Sequence, residues 1–124
     1  MKITKTLFLM ILVLSAGASV FAQKKVDPVG TWSFNAPDAG YEYSKGDIVV
    51  AKEGKEYTAK LVYGESYEIK GQDVLLEKDQ LTFKISIEGE VINIKGTVTK
   101  ETIIGKASFS EGSIDFEAER KKEE

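Results

Sequence analysis

From residue 29 onward, apolar and polar side chains alternate with a period of two, the period of strands with one buried face rather than of helices. Leu81, Phe83, Ile85 and Ile87 share one face while Thr82, Lys84 and Ser86 take the other. Ile92, Ile94, Gly96 and Val98 alternate in the same way with Asn93, Lys95 and Thr97. The pattern repeats in Ile103, Gly105, Ala107 and Phe109, and again in Ile114, Phe116 and Ala118. Earlier strands are expected over residues 29–34, 46–52 and 56–63, with an interrupted one over 66–77 that breaks around Gly71-Gln72. This makes eight strands and no helix beyond residue 28.

The register of neighbouring strands follows from where the turns lie. A two-residue turn at Glu88-Gly89 sets Ile87 opposite Glu90, Ile85 opposite Ile92 and Phe83 opposite Ile94, so both apolar sets reach one face. Turns at Glu53-Gly54, Lys78-Asp79, Lys100-Glu101 and Glu111-Gly112 pair Val50 with Tyr57, Leu76 with Leu81, Val98 with Ile103 and Phe109 with Ile114. The last of these also sets Ile103 opposite Arg120. The turn at Gly64 needs three residues, which places Tyr63 opposite Tyr67, and the parity then flips near Gly71, as a β-bulge would make it.

A sheet with one apolar face and no helix to cover it must curl on itself or find a second sheet. The expected fold is therefore all-β: an eight-stranded up-and-down antiparallel barrel, whose closure also removes exposed edges. A two-sheet sandwich is the runner-up, though the long crossovers it uses are missing here. The polar face points outward, the reverse of a membrane barrel, so no membrane insertion is expected of these strands.

The first 22 residues have a different character. Lys2 and Lys5 precede the apolar run 7–14, and Val20-Phe21-Ala22 offers small-residue cleavage chemistry before Gln23, the layout of a signal peptide cleaved after Ala22. The run is shorter than the roughly 20 apolar residues that span a bilayer. With no cysteine in the chain there is no disulfide and no lipid-bearing residue, so the expected product is periplasmic or secreted and not a lipoprotein. Removing 22 of the 124 residues leaves 102: a linker over 23–28, one barrel domain over 29–121 and a charged tail at 122–124. Losing Lys2 and Lys5 takes the net charge from −3 to −5, which argues against nucleic acid as a partner.

Gly30-Thr31-Trp32 opens the first strand, and the sole arginine, Arg120, ends the last. In an even-stranded meander those two ends meet. A Gly-x-Trp opening with a basic side chain from the final strand over the indole resembles the calycin superfamily, and especially small bacterial secreted lipocalin-like proteins. The resemblance covers residues 28–121 in strand count and order, and its specific residues are Gly30, Trp32 and Arg120. It implies that Arg120 plugs a barrel floor against Trp32, and that a ligand would enter at the other end. The mature chain is shorter than typical members, without the helix that follows a lipocalin barrel or the paired inward basic residues that hold a fatty-acid carboxylate.

With no histidine and no cysteine, the commonest bases, nucleophiles and transition-metal ligands are absent, and no enzyme activity, cofactor or metal is expected. Asp73, Glu77 and Asp79 lie close enough in sequence to hold a hard cation, but without a glycine-centred calcium loop they read as turn and surface charge. The candidate ligand site is the barrel mouth. Alternation brings the connections 35–46, 64–66, 88–89 and 111–112 to the end opposite Arg120, and with them Tyr41, Tyr43, Tyr63, Tyr67 and Phe109. Small inward residues (Ala59, Gly96, Gly105, Ala107 and Ala118) either leave room for a ligand or permit tight coiling around a filled core. Two functions follow from those alternatives. One is a binding module for a small apolar molecule, the other a solid-core module that binds another protein as an inhibitor or envelope accessory.

Overall fold

In the computed structural model, which describes residues 26–122, the alternation becomes nine antiparallel strands. They are β1 (Gly30–Asn35), β2 (Lys45–Glu53), β3 (Glu56–Tyr63), β4 (Tyr67–Lys70), β5 (Gln72–Glu77), β6 (Gln80–Ile87), β7 (Glu90–Val98), β8 (Thr102–Phe109) and β9 (Gly112–Arg120). One sheet holds them all in the order β4-β3-β2-β1-β9-β8-β7-β6-β5, curled into a nearly closed barrel. The expected signal peptide and its cleavage point, and residues 123–124 of the charged tail, lie outside the described residues.

The count is nine and not the expected eight because the segment 66–77 changes partner midway. Its first half, β4, pairs with β3, and its second half, β5, pairs with β6. Gly71 makes the step by donating its backbone N–H to the carbonyl of Ala59 at 2.7 Å. A Cβ at this position would lie 2.8 Å from that same oxygen and 2.9 Å from the Phe83 ring, so only glycine lets the chain approach so closely. The β5–β6 ladder is irregular between Gln72 and Leu75, beside Asp73 at φ 55°, where the parity change called for a bulge. The two ends of the sheet are thus halves of one bent segment, and that bend brings the barrel to near closure.

Most of the register follows from the turns. Ile85 faces Ile92, Phe83 faces Ile94, Leu76 faces Leu81, Val98 faces Ile103 and Tyr63 faces Tyr67. Two hairpins slide by two residues from expectation. Val50 pairs with Ala59 rather than Tyr57, because the turn is Gly54-Lys55 with Gly54 at φ 64°. Phe109 pairs with Gly112 rather than Ile114, and Ile103 with Ala118 rather than Arg120, because the turn is Ser110-Glu111. A slip of two preserves every inward and outward assignment, which is why burial still follows the alternation. Outward positions carry cross-strand ion pairs such as Lys106–Asp115 at 2.6 Å and Lys60–Glu68 at 3.2 Å, each worth about 0–1 kcal/mol.

Arg120 finds its partner on β1, directly opposite Trp32. Its guanidinium lies 4.2 Å from the centre of the indole. Nε donates to the carbonyl of Lys100 at 2.9 Å, Nη1 to that of Val29 at 2.8 Å and Nη2 to that of Asp27 at 2.8 Å. Beneath it Trp32 is 0 % exposed and donates its indole N–H to the carbonyl of Pro28 at 3.0 Å. Gly30, at φ 143°, leaves the space that the guanidinium needs, since a Cβ there would stand 2.9 Å from Nη1. Leu81, Val98, Ile103 and Ala118 are also fully buried in the same core.

Burying an indole removes about 150–250 Å² from water, an upper-bound gain of roughly 4–6 kcal/mol at about 25 cal/mol/Å². The cation–π contact adds about 0.5–2 kcal/mol. In denaturant melts Trp32→Ala should therefore cost more stability than Arg120→Ala, and Arg120→Lys should recover little, since an ammonium cannot bridge the carbonyls while lying flat on the ring. Equal or reversed losses for the tryptophan and arginine variants would contradict this floor.

Candidate functional site

The end of the barrel away from Arg120 is built from the connection after β1 and the turns β3–β4, β6–β7 and β8–β9. The first connection holds two single 3-10 turns, Pro37–Ala39 and Tyr41–Tyr43, and folds back so that the Ala36 N–H reaches the carbonyl of Ser44 at 2.7 Å. Tyr43 ties it to the opposite wall by donating its hydroxyl to Glu88 at 3.3 Å. Tyr63 sits at the centre of the aromatic group. Its ring meets Phe34 edge-on at 5.7 Å and Tyr43 edge-on at 5.4 Å, stacks on Tyr67 at 6.0 Å, and its hydroxyl donates to the Tyr43 carbonyl at 3.5 Å.

Inside this end lies a cavity of about 320 Å³. Its wall is apolar for most of its extent, from Phe34, Ile48 and Phe116 up to Ile87, Ile92 and Ile114. Trp32 does not line it, so the plugged floor and the hollow are separate parts of one interior. Of the expected mouth residues, Tyr43, Tyr63 and Phe109 line the cavity. Tyr41 does not, and is 96 % exposed. Tyr67 does not line the cavity either; it is 50 % exposed and stacks on Tyr63.

The small inward residues divide between the two structural roles open to them. Phe116 and Ile103 fill the space at Gly96, where a Cβ would stand 3.2 Å and 2.6 Å from them, and Gly105 packs against the backbone of β7. Ala59 and Ala118 are buried in the packed core, and Ala107 alone of the five lines the cavity.

Three acidic residues in the wall, Asp38, Glu88 and Glu90, were not singled out from the sequence. For Glu90 the signal was there, because the alternation that puts Ile92 and Ile94 inward puts Glu90 inward as well. Its carboxylate accepts from the backbone N–H of Ser110 at 2.9 Å and from the Ser110 hydroxyl, and these bonds hold its pKa below the usual carboxylate range. Burial pushes the Tyr63 phenol up to about 12, with Tyr43 and Tyr67 adding to the effect. Desolvation and the Glu88 carboxylate raise Tyr43 as well. Elsewhere, Asp73 lies 3.7 Å from Lys84, and among the described residues no three acidic groups gather as a metal site would require.

No family model matches the chain, and no curated protein does. A solved structure described as a redesigned beta barrel is similar to it with a TM-score of 0.51, over 77 % of this chain and 91 % of that one, at 15 % identity. At that identity the likeness concerns the fold alone, and the fold it supports is the antiparallel barrel.

Because the folded-state pKa of Tyr63 exceeds its ordinary value of 10.0, the stability linked to it is intact below pH 10 and is lost as pH rises through about 12. Tyr63→Phe should therefore flatten the fall in denaturation midpoint over that interval. Identical pH profiles for the variant and the wild type would contradict the burial of this hydroxyl.

Proposed function

We propose that this chain is an exported, lipocalin-like binding module that holds a small apolar molecule inside its barrel and performs no chemistry on it. One observation carries the reading: an apolar cavity of about 320 Å³ at the end of the barrel opposite the Trp32–Arg120 floor. Ligand pockets start at about 300 Å³ and are lined by hydrophobic and aromatic side chains with a few polar groups. A filled barrel leaves few voids larger than a water molecule, so the cavity weighs against the alternative of a solid-core module whose partner is another protein. The calycin part of the proposal is supported by Gly30 and Trp32 at the start of β1 with the guanidinium of Arg120 over the indole. Export to the periplasm or the medium is supported by the charged and then apolar pattern of residues 1–22.

Native mass spectrometry of the protein purified from its own host should show a non-covalently bound small molecule. Ala107→Phe and Ile92→Phe each extend a wall side chain into the cavity. The variant that keeps the wild-type denaturation midpoint, within about 1 kcal/mol of stability, should lose the bound mass. A wild-type protein with no bound mass and no uptake of an added apolar dye, or a folded variant that keeps its ligand, would contradict the reading.

A further inference from the structure

We infer that the cavity is built for a cationic amphiphile, an apolar body with an ammonium-type head that sits at the acidic rim. This assignment of ligand class rests on the ligand-holding reading above. Among the described residues, all charged side chains in the cavity wall are acidic (Asp38, Glu88 and Glu90), and no lysine or arginine lines it. Glu90 belongs to the wall by register, sharing the inward parity of Ile92 and Ile94 on β7 and facing Ile87 across the hairpin. Two bonds from Ser110 fix its carboxylate in place. Glu88 follows on the same hairpin, with the Tyr43 hydroxyl directed at it.

Tyr43, Tyr63 and Phe109 contribute aromatic rings to the same end of the cavity. Aromatic faces carry negative electrostatic potential, so they attract an organic cation and repel an anion. Carboxylates around a low-dielectric opening focus that potential further. A fatty-acid head would meet three like charges and, among the described residues, no basic partner. An alcohol would meet neither attraction nor repulsion of comparable size, whereas an amine would find both the carboxylates and the rings.

The test uses delipidated protein loaded with the neutral fluorophore N-phenylnaphthylamine and displaced at neutral pH and low salt by decylamine, decanol or decanoate. Decylamine should bind about tenfold tighter than decanoate, with decanol between them, and the gap should narrow as salt is added. The double variant Glu88→Gln with Glu90→Gln should bring the amine and the carboxylate to within about twofold of each other. Glu53→Gln with Glu56→Gln removes the same charge at the opposite end of the barrel, where the two residues face each other across β2 and β3, and should leave the gap intact. Decanol binding with no preference for the amine, or an equal effect of the remote double variant, would overturn the assignment of class and leave the cavity reading standing. Failure of the fluorophore and of all three competitors to bind would overturn both.

Discussion

Three carbonyls from two separate stretches of the chain converge on one side chain. Arg120 takes those of Asp27, Val29 and Lys100 while its guanidinium lies over Trp32. A planar group with five donors and a weakly hydrated face can make all of these contacts at once, and a lysine cannot. The contact holds together the lead into β1, the turn between β7 and β8, and the last residue of β9. It is also what gives the barrel two unlike ends. With the floor sealed by an indole and its cover, the interior can be open only at the opposite end.

How the interior volume is shared follows from side-chain size along the strands. Towards the floor, Trp32, Leu81 and Ile103 fill the barrel, with the ring of Phe116 lying over Gly96. Towards the mouth, the inward positions of β6–β9 hold Ile87, Ile92, Ala107 and Ile114, which are half-buried, pack against the core and line the cavity. The connection after β1 covers part of that opening, held across it by Tyr43 and Tyr63. A packed half gives the structure stability, and an unfilled apolar half is where a ligand can add to it.

Much of this was legible in the sequence because period-two alternation encodes which face is buried, and a register slip of two residues leaves that face unchanged. The Trp32–Arg120 meeting and the inward placing of Tyr63 and Phe109 follow from that parity, and Tyr43 joins them because its connection lies at the same end. The change of partner at Gly71 was legible only as an interruption, because it depends on a close approach to Ala59, far away in sequence. The exposure of Tyr41 was not legible at all, since the connection that carries it has no periodicity to orient its side chains. The acidic rim was partly legible. Glu90 lies on the apolar face by count, whereas Asp38 reaches the cavity through a 3-10 turn that alternation does not describe.

On this reading an apolar ligand enters at the end farthest from Trp32. Backbone and methyl chemical shifts, followed as a small apolar ligand is titrated into the protein, test this most directly. The largest changes should fall on Ala36, Ile87, Ile92 and Ala107, which line the cavity, while the indole N–H of Trp32 stays in place on the carbonyl of Pro28. Changes centred on Trp32 and Arg120, or confined to the outward faces of the strands, would contradict it.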